Sequence, residues 1–106
     1  MFERIVPLLG ELREILVSAG QHAYAEEIQA ALSGDDMMLI AFLKSNTLWG
    51  GAGSIADEAG GDSRETRRPL EQLLATLGRE QLRLGYVNPR TEMWTSTFEQ
   101  WHAQNI

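Results

Sequence analysis

Residues 45–61 read Ser-Asn-Thr-Leu-Trp-Gly-Gly-Ala-Gly-Ser-Ile-Ala-Asp-Glu-Ala-Gly-Gly, and they hold five of the chain's ten glycines beside one of its three tryptophans. The sequence on either side has helical periodicity; here it breaks. Gly50, Gly51 and Gly53 permit positive φ or a close backbone approach, which other residues adopt only at a cost. Ser54 followed three residues later by Asp57 has capping-box spacing, so a short helix is expected to start at Ser54. Leu48 and Trp49 are expected to anchor the loop by burying their side chains beneath it.

Upstream, Ile5, Leu8, Leu9, Leu12, Ile15, Leu16 and Ala19 follow the i, i+3, i+4, i+7 template over residues 3–19. Pro7 places the regular start near Arg4 or Val6, and Gly20 is the expected stop. A second helix over residues 21–32 has a narrower apolar face of Tyr24, Ala25, Ile28, Ala31 and Leu32, with Glu26 and Glu27 off it. Gly34 ends it. Asp35 or Asp36 then caps a third helix through Lys44, whose run from Met37 to Leu43 is apolar almost all round and predicts a buried central helix, with a strand the lesser alternative. Core filling is the commoner use of its two methionines, an adaptable binding surface the other.

Downstream, Gly60-Gly61-Asp62-Ser63 is a second break. A long helix follows, with Leu70, Leu73, Leu74, Leu77 and Leu84 along one stripe. Thr66 is the expected cap, because it puts Pro69 in the first turn; a cap at Asp62 would push Pro69 into the second turn and a kink. Gly78 questions the helix's continuity, Gly85 ends it, and Asn88-Pro89 marks a turn. In residues 91–106, Trp94, Phe98 and Trp101 share one helical face, although Thr91, Thr95 and Thr97 favour strand. The expectation is an all-α fold: one domain over residues 1–106, a bundle of about five helices with a central glycine-rich loop.

Composition narrows the function. The 43% apolar and 23% charged content is that of a globular domain. With no cysteine, disulfides and thiolate metal sites are excluded. No apolar run approaches the roughly 18 residues of a membrane span, and Met-Phe-Glu-Arg lacks the pattern of a signal peptide, so a cytoplasmic protein is expected. The net charge of −6 divides into −7 over residues 1–62 and +1 over residues 63–106. That field disfavours nucleic acid and suits either a basic protein partner or a merely solvated acidic surface.

Catalytic and metal-binding signals are absent. His22 and His102 are the only histidines, without a Glu-x-x-His or His-Glu-x-x-His pattern. Ser54 lacks a Gly-x-Ser-x-Gly context. The glycine loop could cradle an anion on its backbone N–H groups, but it has neither the Gly-Lys-Ser/Thr end of a P-loop nor a Gly-x-Gly-x-x-Gly, and Asp57 and Glu58 would repel an anion. The structural reading is preferred: the glycines let helices approach, while Asp57 satisfies backbone donors. A second use open to Asp57 is to hold Arg64, Arg67 or Arg68, which if free would form a small basic patch. No catalytic residue, metal or cofactor is expected.

Trp49, Gly50, Gly51, Gly53, Ser54 and Asp57 together resemble a stretch in small uncharacterised bacterial proteins: an aromatic residue, Gly-Gly-x-Gly-Ser, and an aspartate three residues on. Some of those look like immunity proteins encoded beside toxins. The resemblance covers the ten residues from Leu48 to Asp57. It implies a bacterial source and a compact helical fold, and it brings no catalytic residue.

The preferred functional expectation is a small acidic non-enzymatic protein acting by protein binding, of immunity or antitoxin type. Its candidate interface is Trp94, Phe98, Trp101, Glu26, Glu27, Asp35 and Asp36. Two alternatives stand beside it: a ligand-binding protein or enzyme using the glycine loop and Asp57, and a homodimer of structural role.

Overall fold

Burial of one leucine-rich stripe on each of two long helices organises the chain. The computed structural model describes residues 1–61 and 63–104. Helix α1 (Ile5–Ser18) buries Ile5, Leu9, Leu12 and Leu16, one face of a 3.6-residue period. Pro7 lies in its first turn, where the missing N–H does no harm. Gly20 closes it at φ +77, with its N–H on the Val17 carbonyl, and the Gln21 N–H reaches the Leu16 carbonyl. Helix α2 (His22–Ser33) returns against α1 and buries Ala25, Ile28 and Ala31. Its small residues allow the close pairing.

Helix α3 (Asp36–Leu43) starts where Asp35 accepts the Met38 N–H at 2.9 Å. It is not the buried central helix that its composition suggests. Only Leu39, Phe42 and Leu43 are buried, while Met37 and Met38 are 78% and 52% exposed. Eight residues are too short to run through the core, so one face packs and the methionines are not core fillers. Two single turns follow, α4 (Asn46–Trp49) and α5 (Ile55–Glu58).

The central element is α6 (Arg64–Leu84), which packs against both α1 and α7 (Thr91–Ala103). It buries Leu70, Leu73, Leu74 and Leu77. Its start corrects the Thr66 expectation. Ser63 occupies the cap position without a side-chain bond, and Pro69 falls in the second turn. The N–H that proline lacks would have met the Glu65 carbonyl, which lies on an exposed residue where water can replace it. The alternative cap, Asp62, lies outside the described residues. The helix runs unbroken through Gly78 and ends at Gly85, φ +87.

Helix α7 confirms the helical expectation for the C-terminal segment up to Ala103; residues 105 and 106 lie outside the described residues. The threonines that favour strand have a packing reason. Thr91 and Thr95 are fully buried, and a Cβ placed on Gly78 would lie 1.9 Å from the Thr95 Oγ1. Helices α6 and α7 therefore meet nearly backbone to backbone at a glycine and a short side chain.

The fold is all-α, with no strand among the described residues. The buried apolar side chains form one cluster from Phe2 to Phe98. The radius of gyration is 12.6 Å, close to the roughly 13 Å expected of a compact chain of this length.

Candidate functional site

The glycine-rich segment contains α4 and α5, each too short to satisfy its own backbone. Ser45 and Ser54 cap them: Ser45 Oγ accepts the Leu48 N–H at 3.2 Å, and Ser54 Oγ accepts the Asp57 N–H at 3.2 Å. Leu48 and Trp49 are fully buried beneath the segment.

The carbonyls of Ser45, Trp49, Gly50, Gly53, Asp57 and Ala59 are met by side chains arriving from four other parts of the chain. Trp94 Nε1 on α7 donates to Gly50 O at 2.9 Å. Tyr24 Oη on α2 donates to Gly53 O at 2.8 Å. Arg67 Nη1 on α6 donates to Asp57 O at 3.1 Å and Ala59 O at 2.8 Å. Asn88 Nδ2, from the turn before α7, reaches Ser45 O at 3.0 Å and Trp49 O at 3.2 Å. Gln21, ahead of α2, accepts the Gly60 N–H at 2.7 Å through Oε1.

Gln81 is the deepest of these groups. Fully buried, it accepts the Trp49 indole N–H at 2.9 Å and donates to Leu43 O at 2.9 Å and Tyr86 O at 2.8 Å. One amide thereby ties together the ends of α3, α4 and α6.

This arrangement revises the expected role of Asp57. Its carboxylate forms no ion pair among the described residues; what Asp57 contributes is its backbone N–H to Ser54 and its carbonyl to Arg67. Arg67 instead pairs with Glu71, Nη2 to Oε2 at 2.8 Å. A chain carbonyl is a sufficient acceptor for a guanidinium, so the carboxylate stays in solvent. Asp57 and Glu58 are both exposed, and they act on Tyr24: burial first, then the charges of Glu58 and Asp57, raise its phenol above the ordinary value.

The three glycines differ in their reasons. Gly53 sits at φ +86 with open space around it, so its requirement is conformational. Gly50 has an ordinary φ of −100, but a Cβ there would lie 2.2 Å from the Asn46 carbonyl oxygen. At Gly51 it would meet only the Arg90 side chain, at 2.7 Å, which is free to move. Gly50→Ala is therefore expected to cost about 2 kcal/mol as an overpacked site. Gly53→Ala should cost about 1 kcal/mol for left-handed strain, and Gly51→Ala less than either. Asp57→Asn is expected to be nearly neutral, because no bond to its carboxylate is lost. Urea denaturation of the four variants checks that order.

The other candidates are spread over the surface and core. Glu26, Glu27, Asp35 and Asp36 are exposed. Trp94 and Trp101 are half-buried and pack through Phe98, with ring centroids 5.3 and 5.8 Å from it. Phe98 itself is 1% exposed and belongs to the core, so it offers no contact surface. Both histidines are exposed, and His102 Nδ1 lies 2.9 Å from Gln72 Nε2. Among the described residues no three histidine, aspartate or glutamate side chains are grouped for a metal. A cleft of about 550 Å³ lies beside the loop, lined by Gln21, Asp57, Glu58, Gly61 and Arg67. Its one cation is already engaged by loop carbonyls and Glu71.

Sequence reasoning missed Gln81, Asn88, Gln21 and Tyr24. Gln81 had a signal: it is four residues beyond Leu77 and three before Leu84, a polar residue on an otherwise apolar stripe. Comparison with protein-family models, with curated proteins and with solved structures finds no match. No helix among the described residues is long and apolar enough to cross a membrane.

Proposed function

We propose that this chain is a small acidic, non-enzymatic cytoplasmic protein that binds a basic protein partner, in the manner of an immunity or antitoxin factor. The observation carrying this reading is a set of exposed, unpaired carboxylates along α1, α2 and α3. Glu71, Glu80 and Glu99 are each paired with an arginine of α6. Glu11, Glu26, Glu27 and Asp36 are exposed and form no ion pair among the described residues. Unpaired carboxylates keep their field available for a partner, whereas paired ones have largely cancelled it. Met37 and Met38 stand exposed next to Asp35 and Asp36, adaptable apolar contacts of the kind used at binding surfaces. The narrower immunity or antitoxin type rests on the resemblance of Trp49 to Asp57.

Electrostatic steering makes this testable. A partner recovered by pull-down should associate roughly tenfold more slowly at high than at low salt. Reversing Glu26, Glu27 and Asp36 to lysine should slow association at low salt by a similar factor. Recovery of only a second copy of the chain, in a salt-insensitive dimer, would exclude the proposal in favour of a structural homodimer.

A further inference from the structure

A different part of the surface has opposite chemistry. Where the start of α6 meets the end of α7, Arg64, Arg67, Arg68, Glu71 and Trp101 line a cleft of about 280 Å³. We propose that this cleft binds a small aromatic anion, a carboxylate or phosphate carried on a single planar ring.

Arg67, Glu71, Arg64 and Trp101 have distinct parts. Arg67 and Glu71 form a fixed wall: Arg67 Nε and Nη2 both donate to Glu71 Oε2, at 3.2 and 2.8 Å, while Nη1 holds the loop carbonyls. That pairing offsets the one carboxylate of the lining. Arg64 is exposed and makes no hydrogen bond or ion pair among the described residues, so its planar fork is available for bidentate contact with a carboxylate or phosphate. Trp101 is half-buried against Phe98, and its indole N–H has no acceptor among the described residues. It offers a flat apolar surface to the same cleft, with a donor at its edge.

Size selects the ligand class. Clefts for drug-sized ligands span roughly 300–1,000 Å³, so this one accommodates about one ring and its anionic group. Inorganic phosphate alone would leave the tryptophan unused. A neutral ring would leave Arg64 unused.

Phenyl phosphate is the probe, with benzyl alcohol and inorganic phosphate as its two halves, titrated at constant ionic strength into the ¹⁵N-labelled protein. The indole N–H signal of Trp101 should shift saturably with phenyl phosphate. Arg64→Ala, at an exposed position where folding is not at stake, should weaken that binding about tenfold, the value of one charge-assisted contact. Trp101→Leu, followed through the backbone amide signals of Arg64 and its neighbours, should weaken phenyl phosphate but leave inorganic phosphate unchanged. The proposal fails if the signal does not saturate, if benzyl alcohol binds as well, if inorganic phosphate matches phenyl phosphate, or if Arg64→Ala binds normally.

Discussion

Gly78→Ala is expected to destabilise the protein by about 2–3 kcal/mol, lowering its melting temperature by roughly 10–20 °C. The sign of this effect is informative. In an isolated helix, alanine in place of glycine gains about 1 kcal/mol. Here the new Cβ would lie 1.9 Å from Thr95 Oγ1 and 3.0 Å from Thr95 Cβ, both on a fully buried residue of the facing helix. The overlap must be relieved by separating α6 from α7 or by moving Thr95, and either loosens the packing of Phe98 behind it. Thr95→Ala alone should change stability little, since its Oγ1 is buried without a hydrogen-bond partner and losing that orphan offsets the lost methyl. Combined with Gly78→Ala it should recover about half the loss, because the shorter side chain removes the closest contact but not the 3.0 Å one. A double-mutant cycle by urea denaturation would read a coupling of about 1 kcal/mol or more. A neutral or stabilising Gly78→Ala would mean that the two helices do not meet at this point.

The same pair shows where sequence reasoning stops. Periodicity alone locates α1 and α2 to within a residue or two and the start of α7 at Thr91, because each needs one continuous apolar stripe and carries it. It also predicts the leucine face of α6. Gly78 read in isolation weakens a helix, and Thr95 read in isolation favours a strand. Their meaning is joint, and nothing in either local window says that the two positions touch. The error at α3 is of a different kind. An apolar run implies burial only when the element is long enough to be surrounded, and Met37 and Met38 sit at the outer end of a helix of eight residues. Sequence favours Thr66 as the cap because proline is most comfortable in a first turn, yet tertiary packing of the Leu70–Leu77 stripe accepts Pro69 one turn further in.

The loop was legible as a structural feature and not as a network. Ser54, with its three-residue spacing to Asp57, announced the cap correctly, and Leu48 and Trp49 announced the anchor. The side chains that bond the segment come from Gln21, Tyr24, Arg67, Gln81, Asn88 and Trp94, spread over more than 70 positions of the sequence. Polar residues of this kind are ordinary on a helix surface, so only the fold shows that six of them converge on one segment. Such convergence follows from the composition of the segment itself. A glycine-rich stretch with two single turns leaves many carbonyls without intrahelical donors, and those near the core must be met by side chains.

Gln81→Leu is expected to destabilise by about 3 kcal/mol, close to the effect at Gly78 and for the opposite reason: a missing contact instead of an excess one. The leucine fits the stripe formed by Leu77 and Leu84 and gains apolar burial. It also strands three groups at once, the buried Trp49 indole N–H and Leu43 carbonyl and the half-buried Tyr86 carbonyl. Each orphan costs about 1–3 kcal/mol, so the sum outweighs the roughly 1–2 kcal/mol of added burial. Gln81→Glu separates acceptor from donor. The introduced carboxylate still accepts from Trp49, but it faces the two carbonyls with no proton to offer. Burial raises the folded-state pKa of such a group. Its protonated form is therefore favoured by folding, and the stability of the variant relative to the parent should be greatest at low pH and fall as pH rises through the folded-state value. Gln81→Leu has no titrating group and should show a pH-independent deficit. Urea denaturation of parent and both variants between pH 4 and 8 distinguishes the cases. A Gln81→Leu variant within 1 kcal/mol of the parent would show that the glycine loop is held by the apolar anchors Leu48 and Trp49 alone.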